Sequence, residues 1–320
     1  MDLARPRVAL GRFPTPLHSD DAVERLLGVD RLLIKRDDLT GFGWSGNKVR
    51  AVEYLLGDML AAGATNVVLA AGPTSNLAAT MANAARRHGL AVDQYAYGTE
   101  PAEPPPALLV CRRLGTSVHF TGSDDRASMD RHAAERVRCL DLAGATPYLV
   151  PRGGASEIGA LGFAAAAAEL DEQLLHVSAE PGTVVLPVGS GGSISGLLVG
   201  QALLGVTWPV VGVAVSRPVL ETVAVVRKLT ERGASMLGLP QGDVPEPTIV
   251  DGRGAGFGRP EPAETELAIA IEAASGLLVD PVYNAKALRW LADAHVEGPV
   301  LYWHTGGSLG VAQRLIADVR

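Results

Sequence analysis

Two kinds of apolar run alternate along the chain. Short β-rich stretches (LLIKR at 32–36, NVVLAAG at 66–72, VDQYAYG at 92–98, SVHFTG at 117–122) are separated by longer Ala/Leu-rich stretches with the spacing of one helix face. This predicts helices near 47–63, 76–88 and 106–114. After a further helix near 126–144 come a strand TPYLVP (146–151), a glycine turn at 153–154 and the alanine-rich helix LGFAAAAAEL (161–170). Strands TVVLPV (183–188) and VVGVAV (210–215) follow. Such alternation predicts an α/β fold with open, twisted, mostly parallel sheets covered by helices. No internal repeat is visible.

From Pro181 to Ser216 no side chain is charged, a run long enough to resemble a membrane span. Glycine and proline punctuate it, so it divides better into a buried strand, a glycine turn, the helix ISGLLVGQALL (194–204) and another buried strand. That is the pattern of a parallel sheet covered on both faces. TEPAEPPP at 99–106 predicts a proline-stiffened connector. Residues 240–263, rich in glycine and proline, are too long for an ordinary connection and predict a lid or site wall.

Size and composition narrow the function. A chain of 320 residues predicts two domains, and 47% hydrophobic with 20% charged residues supplies a sizeable core. The net charge is 28 − 35 = −7 with no Lys/Arg block, which argues against nucleic acid or an anionic membrane and favours a small-molecule ligand. Cys111 and Cys139 are too few for a disulfide framework and lack metal-ligand spacing. The N-terminal residues hold no apolar run of signal-peptide length, so the expected location is the cytoplasm.

Three glycine-bearing segments carry candidate chemistry. Lys48 follows Gly46 and Asn47 at a strand-loop-helix junction; lysines at helix starts are usually solvated, but a positioned, partly desolvated one can form a Schiff base. About 140 residues later, Gly189-Ser190-Gly191-Gly192-Ser193 follows a buried strand and opens a helix, where backbone amides converge on an anion. It lacks the lysine of a nucleotide loop and the glycine spacing of a dinucleotide site, and a tight turn without ligand fits its shape too. GPTSN at 72–76 places Ser75 and Asn76 at a helix N-terminus, as a clamp for a carboxylate or hydroxyl or as a simple cap. An amine for a carbonyl together with a cradle for a phosphate predicts pyridoxal 5'-phosphate.

The ordered segments KRDDLTGFGWSGNK, GPTSN, VPRGGASEIGALGF, GSGGSISGL, DPVYNAKAL (280–288) and WHTGG (303–307) resemble the fold-type II pyridoxal-phosphate enzymes, in the branch of D-cysteine desulfhydrase and 1-aminocyclopropane-1-carboxylate (ACC) deaminase. The resemblance implies a tryptophan synthase beta-like fold, with residues 1–51 and 156–320 as a large cofactor-binding domain and 52–155 as a small one. It also implies a homodimer. Lys48 resembles the Schiff-base lysine, with Asn47 in the same motif, and Asn76 the partner of the cofactor's ring hydroxyl. Ser75 resembles the serine facing the substrate, with Thr74 beside it, and Gly189 to Ser193 the phosphate cup. Tyr283 resembles the active-site tyrosine, and Thr305 a residue lining the cofactor pocket.

Departures from the family pattern are informative. The position after the DPVY tyrosine, glutamate in ACC deaminases and often threonine in desulfhydrases, is Asn284, expected to approach the pyridine nitrogen as a neutral partner. That disfavours cyclopropane opening. The family's QSN followed by His or Gln is Thr74-Ser75-Asn76-Leu77, and its Tyr-Gly-x-Pro is Phe257-Gly258-Arg259-Pro260, so a second phenol is expected to be missing. The resulting expectation is a lyase or deaminase that eliminates a β-substituent from a small amino acid such as D-cysteine, with Lys48, Ser75 and Tyr283 catalytic. β-Replacement and ACC deamination are the alternatives.

Overall fold

A computed structural model describes residues 3–177 and 182–318, so Pro181, at the edge of the uncharged stretch, lies outside the described residues. In chain order the elements begin β1 (Leu17–Ser19), α1 (Asp21–Leu27), β2 (Arg31–Arg36), α2 (Lys48–Ala61), β3 (Asn66–Ala70), α3 (Asn76–Arg87) and β4 (Ala91–Ala96). They continue α4 (Pro106–Arg113), β5 (Ser117–Phe120), α5 (Ala127–Leu142), β6 (Pro147–Val150), α6 (Glu157–His176), β7 (Thr183–Val188) and α7 (Gly192–Leu204). The last are β8 (Val210–Ala214), α8 (Val219–Met236), β9 (Thr248–Asp251), α9 (Pro262–Ser275), α10 (Asn284–Ala294), β10 (Pro299–His304) and α11 (Ser308–Asp318).

Two sheets form. One runs β1-β2-β10-β7-β8-β9, parallel except for the antiparallel edge strand β1; the other runs β5-β4-β3-β6 and is parallel throughout. Side-chain alternation explains their near-continuous apolar runs. Along β10, Val300 and Tyr302 pack with Val23 and Leu288 of α1 and α10, while Leu301 and Trp303 pack with Phe163 and Leu197 of α6 and α7. Along β3, Val67 and Leu69 join Leu56 of α2 and Leu77 of α3, whereas Val68 and Ala70 join Met129 and Ala133 of α5. These two strands are thus buried on both faces.

The alanine-rich helix also has a packing reason. A Cβ on Gly196 of α7 would lie 2.2 Å from the carbonyl oxygen of Ala160, and one on Gly200 would lie 2.4 Å from Ala167 Cβ. Backbones this close need small residues on both helices.

The 240–263 expectation needs correction. This segment is not one long loop, because TIVD forms β9 beside β8 and a short 3₁₀ turn precedes it. Four residues between prolines and glycines give too short a periodic signal to read; only 252–261 remain as a connection to α9. Cys111 is buried and Cys139 exposed, both as free thiols.

Candidate active site

The charged residues of KRDDLTGFGWSGNKVR anchor the start of α2. Arg50, two residues past Lys48, donates from Nε and Nη2 to Asp37 at 2.8 Å each, and from Nη1 to Glu169 of α6 at 2.9 Å. Glu169 also pairs with the buried Lys35 of β2. Burial alone pushes the Glu169 pKa up, but the hydrogen bonds and charges of Arg50 and Lys35 outweigh it and bring it to about 2.

Gly46 is required by a backbone contact, since a Cβ there would meet Thr305 O at 2.3 Å and Gly306 Cα at 2.7 Å. Asn47 N–H donates to the same Thr305 oxygen at 3.0 Å. SGNK and HTGG therefore form one structural unit. Lys48, half-buried, opens α2 and lines a cleft shared with α3 and α7, yet its amine makes no hydrogen bond or ion pair with any described residue. Desolvation lowers its pKa to about 8.

Opposite lies the glycine loop between β7 and α7. Gly191 takes φ 97° as the residue before the helix, and no side chain caps that end, so the first-turn amides of α7 face outward. Gly189, Ser190, Gly191 and Ser193 line the cleft; Gly192 lies in the same turn against Ala155. The segment leaving β6 crosses over this loop, where a Cβ on Gly153 would lie 2.3 Å from Ser190 Oγ.

GPTSN forms the third wall. Ser75 caps α3, its Oγ accepting from Ala78 N at 3.2 Å, and Thr74, Ser75 and Asn76 all line the cleft. The capping bond uses one acceptor site of the hydroxyl and leaves its proton available.

Tyr283 precedes α10, half-buried, and its ring meets Phe257 edge-on with centroids 5.9 Å apart. Desolvation, with the nearby Asp280, raises the Tyr283 pKa well above the usual phenol value, so the hydroxyl stays protonated. Phe257 and Thr305 also line the cleft.

Asn284 does not line it. Its side chain is buried and committed to the protein, donating to Asp280 and to Gly306 O at 2.8 Å and accepting from Tyr302 Oη at 2.7 Å and Thr305 N at 3.2 Å. An amide with every site occupied is a brace between α10 and the HTGG turn, not the free neutral partner the sequence suggested.

Several polar residues at the cleft escaped the sequence reading, among them one tyrosine and three arginines. Tyr97, just past β4, supplies a second phenol there, so the aromatic hydroxyl absent at Phe257 has a counterpart on another element. The rule that ligands sit at the carboxyl ends of parallel strands points to position 97. Arg126, Arg152 and Arg217 also line the cleft, and no local sequence signal marks them.

An unpartnered lysine of lowered pKa and an uncapped helix N-terminus at a positive-φ glycine, on one cleft, fit an aldehyde and a phosphate on one molecule. The comparisons agree. Residues 8–318 match the family model described as pyridoxal-phosphate dependent enzyme. A Pyrococcus abyssi protein provisionally named 1-aminocyclopropane-1-carboxylate deaminase is 36% identical over 310 residues, 96% of this chain and 93% of its own. A D-cysteine desulfhydrase of Salmonella paratyphi C is 32% identical over 315 residues, 95% of this chain and 94% of its own. The crystal structure of an ACC deaminase homologue superposes with a TM-score of 0.89 at 30% identity, covering 98% of this chain and 96% of that one. Maize serine racemase, at 16% identity and a TM-score of 0.63, shares the fold. The chain belongs to the pyridoxal-phosphate dependent enzymes, and pyridoxal phosphate is its cofactor.

Proposed function

We propose that this protein is a lyase that removes a β-substituent from a small amino acid and releases a keto acid and ammonia, in the manner of the D-cysteine desulfhydrases. The observation that carries this reading is the half-buried Lys48 amine, without a partner among the described residues and with a pKa of about 8, opening on the same cleft as Ser75 and Tyr283. When bound, pyridoxal phosphate supplies the electron sink for the pair left when the α-proton departs.

In this reading Lys48 attaches the cofactor and later holds the proton taken from Cα; desolvation makes its amine neutral more readily than that of an ordinary lysine. The α7 N-terminus and residues 189–193 hold the phosphate, Asn47 braces that end, and Asn76 faces the ring hydroxyl. Ser75, Thr74 and the first amides of α3 orient the substrate carboxylate. Tyr283 keeps its proton and donates it to the departing group, with Tyr97 as a second donor and Phe257 excluding water. Thr305 closes the pocket, fixed by Asn284. Residues 1–51 with 156–320 form the cofactor-binding domain and 52–155 the small domain; the four-stranded sheet falling wholly within 66–150 supports that division. We infer a cytoplasmic homodimer.

Both enantiomers of β-substituted alanines, together with ACC, test the reading by keto-acid release and cofactor absorbance. Pyruvate from a β-substituted alanine is expected. A β-substituted product formed only with an added nucleophile would turn the reading to replacement, and turnover of ACC alone would turn it to ring opening.

A further inference from the structure

Four cationic side chains, Lys48, Arg126, Arg152 and Arg217, line the cleft against one carboxylate, Asp280. Asp280 is already committed, accepting from the backbone N–H groups of Val282, Tyr283 and Asn284. Arg152 has one ion pair, 3.1 Å to Asp130, and Arg217 donates to Gly189 O at 2.9 Å. Arg126 is the outlier. Its guanidinium lies 4.6 Å from the ring centre of Phe257 and 5.7 Å from that of Tyr97, its Nε is buried without a hydrogen-bond partner, and it pairs with no carboxylate among the described residues. Burial lowers the Arg217 pKa, and the positive charges of Arg152 and Arg126 lower it further, as expected for guanidinium groups held together without enough counter-charge. A fixed, planar, under-neutralised guanidinium on aromatic faces is a receptor for an oxyanion.

Backbone amides at the α7 N-terminus serve the cofactor phosphate, and the α3 N-terminus with Ser75 serves the α-carboxylate. Arg126, on the Phe257 and Tyr97 side, is left for a third anion. We propose that Arg126, backed by Arg152 and Arg217, receives a tetrahedral oxyanion on the substrate's Cβ, so that the native substrate is an amino acid with a β-phosphate ester or β-sulfonate. This rests on the lyase reading. A carboxylate bonded through carbon would not leave by elimination, which restricts the class to groups that depart with the bonding pair. The balance closes: Lys48 takes the Cα proton, and the Cβ–O or Cβ–S bond breaks with its electron pair going to phosphate or sulfite. One water converts the three-carbon remainder to pyruvate and ammonia.

The test uses cofactor-loaded wild type, Arg126→Met and Arg126→Lys, with O-phosphoserine, cysteic acid, β-chloroalanine and serine of both configurations, by keto-acid kinetics and titration calorimetry. For one of the two anionic probes, kcat/KM should exceed that for β-chloroalanine in wild type. The ratio should fall at least tenfold in Arg126→Met, mainly through KM, and recover in part in Arg126→Lys, with cofactor affinity retained. An unchanged ratio would assign Arg126 to the carboxylate common to all probes, and loss of cofactor affinity would assign it to the cofactor phosphate; either overturns the inference. If no probe yields keto acid, the lyase reading fails separately, and calorimetry still decides the receptor. Tenfold tighter binding of phosphoserine or cysteic acid than of serine, lost in Arg126→Met, upholds it; equal affinities end it.

Discussion

Asn47 Nδ2 donates a hydrogen bond to Ser193 Oγ at 3.0 Å, tying the residue before Lys48 to the first turn of α7. The two ends of the candidate cofactor site, 146 positions apart in sequence, are thereby held at a fixed separation. Asn47→Ala should cost about 1 kcal/mol of stability, the usual worth of such a bond. Cofactor affinity should weaken about tenfold, because each anchor remains but their spacing loosens. Equilibrium dialysis on Asn47→Ala checks this; Ser193→Ala should lose at least as much, since it removes the same bond and also a hydroxyl of the 189–193 loop.

Cofactor attachment should follow the Lys48 titration. The amine reacts only when neutral, so the attachment rate of cofactor-free protein should rise with pH through about 8 and level off above it, where an ordinary lysine would keep rising towards 10.5. Lys48→Ala should fold and lose covalent attachment. Stopped-flow absorbance across pH 6–10 gives the midpoint, and one near 10.5 would show that the amine is not desolvated.

Glu169 is the hub of the buried ion network beneath α2, where Lys35 and Arg50 both depend on it. Glu169→Gln should cost about 3–5 kcal/mol at neutral pH, the usual penalty for stranding buried charge. The sign with pH follows from the depressed pKa, about 2 in the folded chain against an ordinary 4.5. The ionised carboxylate's contribution is fully present above 4.5 and is lost as pH falls through about 2, so the gap between wild type and variant should narrow over that window. Urea unfolding at several pH values measures it, and a gap independent of pH would mean that packing, not charge, is lost.

Tyr283→Phe should lower turnover by about 10²-fold, the scale of a positioned proton donor. Tyr97→Phe should cost less, because Tyr283 remains. The raised Tyr283 pKa adds a second expectation: no fall in rate from its ionisation should appear at or below the usual phenol pKa of 10. Steady-state pH profiles of wild type and both variants resolve this, and a Tyr283→Phe enzyme with unchanged turnover would remove the phenol from the chemistry.

What the sequence determined was local. Apolar periodicity gave the α/β alternation, and α2, α3, α4 and α5 begin and end within two residues of their predicted limits because helix signals are short-range. Glycine-bearing strand-to-helix turns picked out Lys48, Ser75 and the 189–193 loop, since anion cradles are built from consecutive residues. The four-residue strand β9 was too short to show a period. Tertiary structure decided the rest, because side chains distant along the chain meet only through packing. Asn284 is a residue of a recognisable motif, but Asp280, Tyr302, Thr305 and Gly306 exhaust its hydrogen bonds and make it a brace rather than a cleft residue. Tyr97 brings a phenol from just past β4, and Arg126, unremarkable at the start of α5, becomes an under-neutralised charge only where Phe257 and the cleft close around it. Electrostatic environment depends on what surrounds a group in three dimensions, and linear neighbours do not encode it.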